Sequence, residues 1–64
     1  MDELLTLRQT AQRLNVPEAT LRWWRHRREG PDGFRAGRRV YFRVSDVNRW
    51  IEERIAAEQR GRMA

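Results

Sequence analysis

Apolar residues recur at helical spacing near the start of the chain. Leu7, Ala11 and Leu14 lie four and three positions apart, which predicts one apolar face of a first helix over about 7–14. The segment Thr6-Leu7-Arg8-Gln9 has the form of a capping box, in which the threonine hydroxyl accepts a backbone N–H and the glutamine side chain reaches back. We therefore expect this helix to begin just after the threonine.

A break and a second helix follow. Asn15-Val16-Pro17 ends the first helix, because asparagine tolerates a left-handed conformation and proline disfavours helix at the residue before it. Pro17 suits the first turn of a second helix that is expected to reach about Arg28, with Leu21 and Trp24 facing inward. Two short helices joined by three residues predict a helix-turn-helix. The residues on the other sides of the second helix are Thr20, Arg22, Trp23, Arg27 and His26.

The next segment predicts a two-stranded hairpin. Glu29-Gly30-Pro31-Asp32-Gly33 stops the second helix, and the positive backbone angle available to Gly37 allows a tight turn between two short strands. Because a hairpin alone is marginally stable, Phe34, Val40 or Phe42 must pack on the helices.

A third helix is expected after the hairpin, with Ser45 as its N-cap. Its apolar face has the spacing of an amphipathic helix and places Trp50 in the core. The residues of this face are Val47, Trp50, Ile51 and Ile55. The helix is expected to fade near Glu58 or Arg60, which leaves residues 59–64 as a frayed basic tail.

Together these elements predict one domain over residues 1–64, mainly α with a small β-hairpin, arranged as a minimal winged helix-turn-helix. A chain of 64 residues, 39% of them hydrophobic, has a modest core and little interior for an enzyme cleft. One histidine and no cysteine predict no metal site, no disulfide, no cofactor and no catalysis. No apolar run approaches the roughly 20 residues of a membrane span, and the acidic start does not resemble a signal peptide. We expect a soluble, cytoplasmic binding protein.

The positive charge is concentrated in one segment. All 14 basic residues are arginines, and 9 acidic residues leave a net charge of +5. Eight arginines between Arg22 and Arg43 are accompanied by only Glu29 and Asp32, a net charge of +6, whereas the other residues sum to −1. Arginines neutralise phosphates and release counterions, so the segment predicts a polyanion-binding surface rather than a merely solvated face.

Two rival binding functions fit the pattern less well. The aromatic residues fall at core spacing and not on a strand platform, which favours double-stranded DNA over RNA. The arginines are divided between a helix and a hairpin, whereas a membrane-surface helix would carry them beside its own apolar face.

Two stretches of the chain resemble known DNA-binding domains, and together they cover roughly residues 4–53. The opening resembles MerR-type DNA-binding domains in Leu5-Thr6, Ala11, Leu14, Val16-Pro17 and Thr20-Leu21-Arg22-Trp23-Trp24. The later stretch is similar to the small excisionase-type branch of that superfamily in Gly37-Arg38-Arg39-Val40-Tyr41-Phe42 and Ser45-Asp46-Val47-Asn48-Arg49-Trp50-Ile51. The order and spacing of these short elements carry the resemblance.

The resemblance implies a function in site-specific recombination. Phage excisionases, or recombination directionality factors, bind repeated DNA sites beside an attachment site, often side by side with neighbouring copies. They bend the DNA and help the phage integrase assemble the excisive complex, and they break no bond themselves. Full MerR regulators continue into a long dimerising helix and an effector or metal site, which this sequence lacks, so no small-molecule effector is expected. The alternative is a small AlpA-like or MerR-like transcriptional regulator that binds promoter DNA.

DNA-contacting residues are expected on the second helix and on the hairpin. Those of the recognition helix are Thr20, Arg22, Trp23, Arg25, His26 and Arg27, and those of the wing are Arg35, Arg38 and Arg39. Several have a structural alternative. Arg22 can pair with Glu18, Trp23 can close the core under the wing, and the wing arginines can keep an edge strand soluble.

Two further sets of polar residues have open roles. Arg25 follows an inward-facing leucine by four positions and can extend past the core toward a phosphate, while Thr20 has a local helical role as an equal alternative. Glu52 and Glu53 lie beside arginines and indicate a solvated helix face, which can also meet the arginines of a neighbouring copy on DNA.

Overall fold

The computed structural model describes the backbone of residues 2–63 and the side chains of residues 2–61. Within residues 2–63 it contains three helices and a three-stranded antiparallel sheet. In chain order these are β1 (Leu4–Thr6), α1 (Leu7–Leu14), α2 (Glu18–His26), β2 (Gly33–Ala36), β3 (Arg39–Arg43) and α3 (Val44–Met63). The expected winged helix-turn-helix is confirmed, with β2 and β3 as the wing.

The predicted start and end of α1 are confirmed. Thr6 Oγ1 accepts the backbone N–H of Gln9 at 3.1 Å, and Gln9 Oε1 accepts the N–H of Thr6 at 2.9 Å, so both halves of the capping box are present. Asn15 ends the helix in the left-handed conformation, with φ of 60°. The N–H of Val16 donates to Ala11 O at 3.0 Å and fixes the turn into α2.

The second helix ends at His26, two residues before the predicted end at Arg28. The N–H of Arg28 donates to Arg25 O at 3.1 Å, and the N–H of Glu29 donates to Trp24 O at 2.7 Å. These two bonds form a Schellman motif, with Arg28 at its left-handed position (φ 60°). Glycine is the usual residue there, so an arginine did not indicate the end of the helix.

The sheet contains a strand that the sequence pattern did not predict. β1 pairs antiparallel with β3, with Leu5 opposite Phe42, so β3 is the central strand and the sheet order is β1-β3-β2. The predicted two-stranded hairpin is present as β2 and β3, and β1 adds a third strand to it. Three residues are too short for an alternating pattern to be recognised, and their partner strand lies far away in sequence.

The hydrophobic core lies between the sheet and the three helices. Phe42 and Val47 are completely buried, and Leu5, Ala11 and Leu21 are the other buried residues of this apolar cluster. The expectation that the hairpin packs on the helices is confirmed by Phe42, because it places the largest core side chain on the central strand. The buried Thr10 donates its hydroxyl to Thr6 O at 2.9 Å, which satisfies its polar atom.

The third helix begins differently from the prediction. Ser45 is not the N-cap but lies in the first turn, because α3 already begins at Val44. The start of the chain supplies the capping groups: the N–H of Val44 donates to Glu3 O at 3.0 Å, and the N–H of Ser45 to Asp2 Oδ1 at 3.4 Å. The Ser45 hydroxyl also donates to Asp2 Oδ2.

The end of α3 also differs from the prediction. The backbone is helical through Met63, beyond the predicted end near Glu58 or Arg60, and Ala64 lies outside the described residues. One glycine in this segment costs the helix only about 1 kcal/mol, and its neighbours are helix formers. The prediction that Trp50 belongs to the core is wrong: it is half-buried and packs on Trp24, with ring centroids 5.5 Å apart and ring planes tilted by 42°, but it is not among the residues packed against the buried core. Ile55 is 47% exposed, so the predicted apolar face is covered only near the start of the helix.

Candidate nucleic-acid interface

The helix-turn-helix and the wing meet at a basic cleft, which we call the wing cleft. It is open, with a volume of about 410 Å³. Its polar and charged walls come from the start of α1, the start of α2 and the tip of the wing: Thr6, Arg8, Glu18, Arg22, Arg38 and Arg39. Four arginines against one glutamate give the cleft a charge of +3, so it attracts anions.

The wing tip is a two-residue turn. Ala36 pairs with Arg39 across the β2–β3 ladder, which leaves Gly37 and Arg38 as the loop. Gly37 has φ of 62°, and a Cβ there would meet nothing within 4 Å, so the glycine is required by its backbone angle and not by lack of space. This turn exposes Arg38 and Arg39, and Arg35 is also exposed on β2.

Arg22 lines the wing cleft. It also forms the ion pair with Glu18 that the sequence analysis gave as its alternative role. Its Nη2 lies 3.5 Å from Glu18 Oε1, one helical turn back. Its side chain is still 65% exposed, so the ion pair does not withdraw the guanidinium from solvent. An exposed pair of this kind is weak, and Arg22 can leave it for a stronger anion.

Trp23 lies on the exposed surface of α2. It is 53% exposed, so the alternative in which it closes the core under the wing is wrong. The guanidinium carbon of Arg27 lies 4.8 Å from the centroid of the Trp23 ring, which is a cation–π contact. Arg27 is the C-cap residue of α2, and its Nε lies 3.5 Å from Glu29 Oε1. Arg27 and Trp23 therefore form one stacked unit.

The remaining predicted residues of the recognition helix do not share one surface. Arg25 lines a separate hollow with Arg28 and the loop at Pro31. His26 is exposed. Thr20 lies only about 40° around the helix axis from the half-buried Trp24, and it is itself half-buried. The expectation that Thr20 lies on the outer face of α2 was therefore wrong.

The structure adds two residues that the sequence analysis did not place in the site. Arg8 lies outside the basic central segment, and Glu18 was considered as a partner of Arg22 and as a charge suited to the positive end of α2, yet both line the wing cleft. The sequence offered one signal for these two residues, which is their position in the first turn of α1 and of α2. Only the fold brings those two turns to the tip of the wing.

Other kinds of site find no support in the described part of the chain. Among residues 2–63, no group of three or more histidine, cysteine or acidic side chains is placed to hold a metal ion. No helix within the same residues is long and apolar enough to cross a bilayer.

The fold and this surface define a small winged helix-turn-helix protein whose basic side chains converge beside its second helix. A family model described as a helix-turn-helix domain matches residues 4–55, so the chain belongs to the helix-turn-helix domain family. Members of this family are small DNA-binding proteins, and they include excisionase-like proteins. No curated protein and no solved structure matches the chain.

Proposed function

We propose that this chain is a sequence-specific, double-stranded DNA-binding excisionase that acts beside a recombination attachment site. The observation that carries the DNA-binding mode is the wing cleft, where Arg22 of α2 lies with Arg38 and Arg39 of the wing. In a helix-turn-helix the second helix enters the major groove, and a basic wing beside it is placed to contact the same duplex.

The exposed face of α2 supplies the contacts to base edges. Arg22 and His26 are four residues apart and lie on one side of the helix, next to Trp23. The planar fork of Arg22 suits the two acceptors of a guanine in the major groove. Trp23, held by Arg27, lies against the sugar-phosphate backbone and donates from its ring nitrogen to a phosphate.

The wing and the start of α1 supply contacts that position the protein. Arg38 and Arg39 enter the adjacent minor groove, where arginines respond to groove width more than to base identity. Arg8, Arg25 and Arg35 neutralise phosphates on either side. Thr20 is left with a local role in the helix, because it is half-buried.

The role in excision is supported by the resemblance of the sequence and by the excisionase-like members of the family. In this role neighbouring copies of the chain bind side by side on repeated sites, bend the DNA and help the phage integrase to assemble. The chain itself breaks no bond and needs no cofactor. A small transcriptional regulator would share the fold but would have no effect on recombination.

The test is a gel shift followed by an excision assay. The protein is titrated onto attachment-site DNA of the element that encodes it and onto a scrambled duplex, at about 50 and about 200 mM salt. We expect a ladder of specific complexes on the attachment-site DNA, and integrase-dependent excision that requires the protein. Specific binding without any effect on excision would reject the excisionase function and favour a transcriptional regulator. Equal binding to both duplexes would reject both functions, because each requires sequence-specific binding.

The double variant R38A/R39A probes the wing, with R54A/R60A as its control. Both pairs remove two exposed positive charges, but the second pair lies on α3 away from the wing cleft. We expect the wing variant to lose about tenfold or more in affinity and the control to stay close to the wild type. Equal losses would show that net charge matters and the position of the wing does not.

A further inference from the structure

The wing cleft contains one acidic side chain in an otherwise basic wall. Among the described residues, Glu18 is the only acid that lines it, alongside Arg8, Arg22, Arg38 and Arg39. Glu18 is the first residue of α2, and its side chain is 43% exposed. A carboxylate in this position works against the charge that attracts a phosphate backbone.

We propose that Glu18 is a specificity-determining residue, which weakens binding to arbitrary DNA and selects a cytosine beside the guanine contacted by Arg22. This inference rests on the proposed DNA binding. When a duplex enters the wing cleft, the carboxylate has two possible neighbours. A phosphate repels it, whereas the exocyclic amino group of cytosine donates a hydrogen bond to it in the major groove.

The geometry of the Glu18–Arg22 pair suits this division of roles. The residues are one turn apart on the same face of α2, about 6 Å along its axis. Their charged ends, Arg22 Nη2 and Glu18 Oε1, lie 3.5 Å apart, close to the roughly 3.4 Å between stacked bases, so the two side chains can reach neighbouring base pairs. In the free protein the weak pair keeps Arg22 oriented toward the cleft. On a matching site Arg22 turns to guanine and Glu18 to cytosine, so both charges gain partners.

A mismatched site leaves the carboxylate without a donor. Glu18 has then lost its hydrating water and its ion pair with Arg22, and it faces phosphates or base acceptors. This unfavourable contact weakens binding to the mismatched site. The acid therefore acts chiefly by penalising wrong sequences. A glutamate that served only the dipole of α2 would change the stability of the helix and leave DNA recognition unaltered.

The first experiment compares E18Q with E58Q, which removes the same charge from the exposed surface of α3. Binding to a short random-sequence duplex is measured by fluorescence anisotropy at two salt concentrations. We expect E18Q to bind this duplex about three- to fivefold more tightly than the wild type. E58Q should change the affinity less than about twofold, because Glu58 lies away from the cleft.

The second experiment selects binding sites from a randomised duplex library. The wild type should enrich a cytosine next to an Arg22-dependent guanine, and E18Q should lose the cytosine preference but keep the guanine. E18D retains the charge and should keep weak binding to the random duplex. E18A provides a second neutral variant, and thermal melting verifies that each protein is folded.

The two proposals fail in different ways. If the wild type binds no duplex, the proposed function is wrong. A second outcome is that the wild type selects a site, while E18Q and E18A have the same affinity for the random duplex and the same base preference as the wild type. In that case only the role of Glu18 is overturned. A lower melting temperature with unchanged recognition would likewise leave Glu18 as a helix-terminus charge and reject the inference.

Discussion

Gly33 lies directly opposite Phe42 across the β2–β3 ladder, and a Cβ on Gly33 would stand 2.6 Å from the phenylalanine ring. Phe42 is fully buried, so its ring cannot move aside without disturbing the core. The glycine is therefore required by the close approach of an aromatic ring and not by a special backbone angle.

Substituting this glycine should destabilise the fold. We expect G33A to lower the free energy of unfolding by about 2 kcal/mol, the usual cost of overpacking. Urea denaturation followed by tryptophan fluorescence measures it. G61A is the matched control, because a Cβ there meets nothing within 4 Å and alanine favours the helix by about 0.5 kcal/mol or more. A G33A protein as stable as the wild type would mean that the ring has room to shift.

The link between Asp2 and Ser45 should make stability depend on pH. The hydrogen bond from the Ser45 side chain, helped by its backbone N–H and by the charge of Arg43, holds the pKa of the Asp2 carboxyl below its ordinary value of 3.8. A carboxyl whose pKa is lowered on folding stabilises the fold above the pKa of the unfolded chain. The stabilisation is lost as pH falls through the lower pKa of the folded protein.

We therefore expect D2N to melt at a lower temperature than the wild type at pH 7, with the difference closing below about pH 4. Thermal melts across this range provide the measurement. E3Q is the control, because the interaction of Glu3 with α3 uses its backbone oxygen and not its side chain. A difference between D2N and the wild type that persisted in acid would exclude the carboxylate as its source.

The adjacent tryptophans Trp23 and Trp24 should respond oppositely to substitution. W23A removes an exposed side chain, so it should leave stability within about 0.5 kcal/mol but weaken DNA binding about tenfold. W24A removes the half-buried partner of Trp50 and should cost about 2 kcal/mol of stability. Denaturation and anisotropy on the same duplex separate the two effects. Equal stability losses would contradict the exposure of Trp23.

Two arginines of α1 allow a direct test of the wing cleft. Arg8 lines the cleft, whereas Arg13 lies at the other end of the helix beside a hollow near Trp24 and Trp50. R8A should weaken binding to all duplexes and reduce the salt slope by about 0.9, the value for one lost phosphate contact. R13A removes the same charge and should leave the slope unchanged. The slope is read from anisotropy titrations at several salt concentrations, and identical slopes for both variants would place Arg8 off the DNA.

The corrected parts of the prediction have two causes. The end of α2 at His26 depends on an arginine in a conformation that glycine usually adopts, and the start of α3 depends on capping groups from Asp2 and Glu3. Strand β1 exists because Leu5 meets Phe42 in the folded chain. The last two depend on contacts between distant segments, which periodicity does not report, whereas the end of α2 is a local turn that its residue type did not reveal.

The sequence by itself determined the helix-turn-helix, the wing and the inward residues of α1 and α2, because caps, turns and apolar spacing act over a few neighbouring residues. It also indicated a basic central segment. Tertiary structure decided that Arg8 joins Arg22 and the wing arginines, that Glu18 lies among them, and that Trp23 faces outward while Trp24 packs against Trp50. These relations depend on where distant segments meet, because electrostatic and packing energies follow distance in space and not separation along the chain.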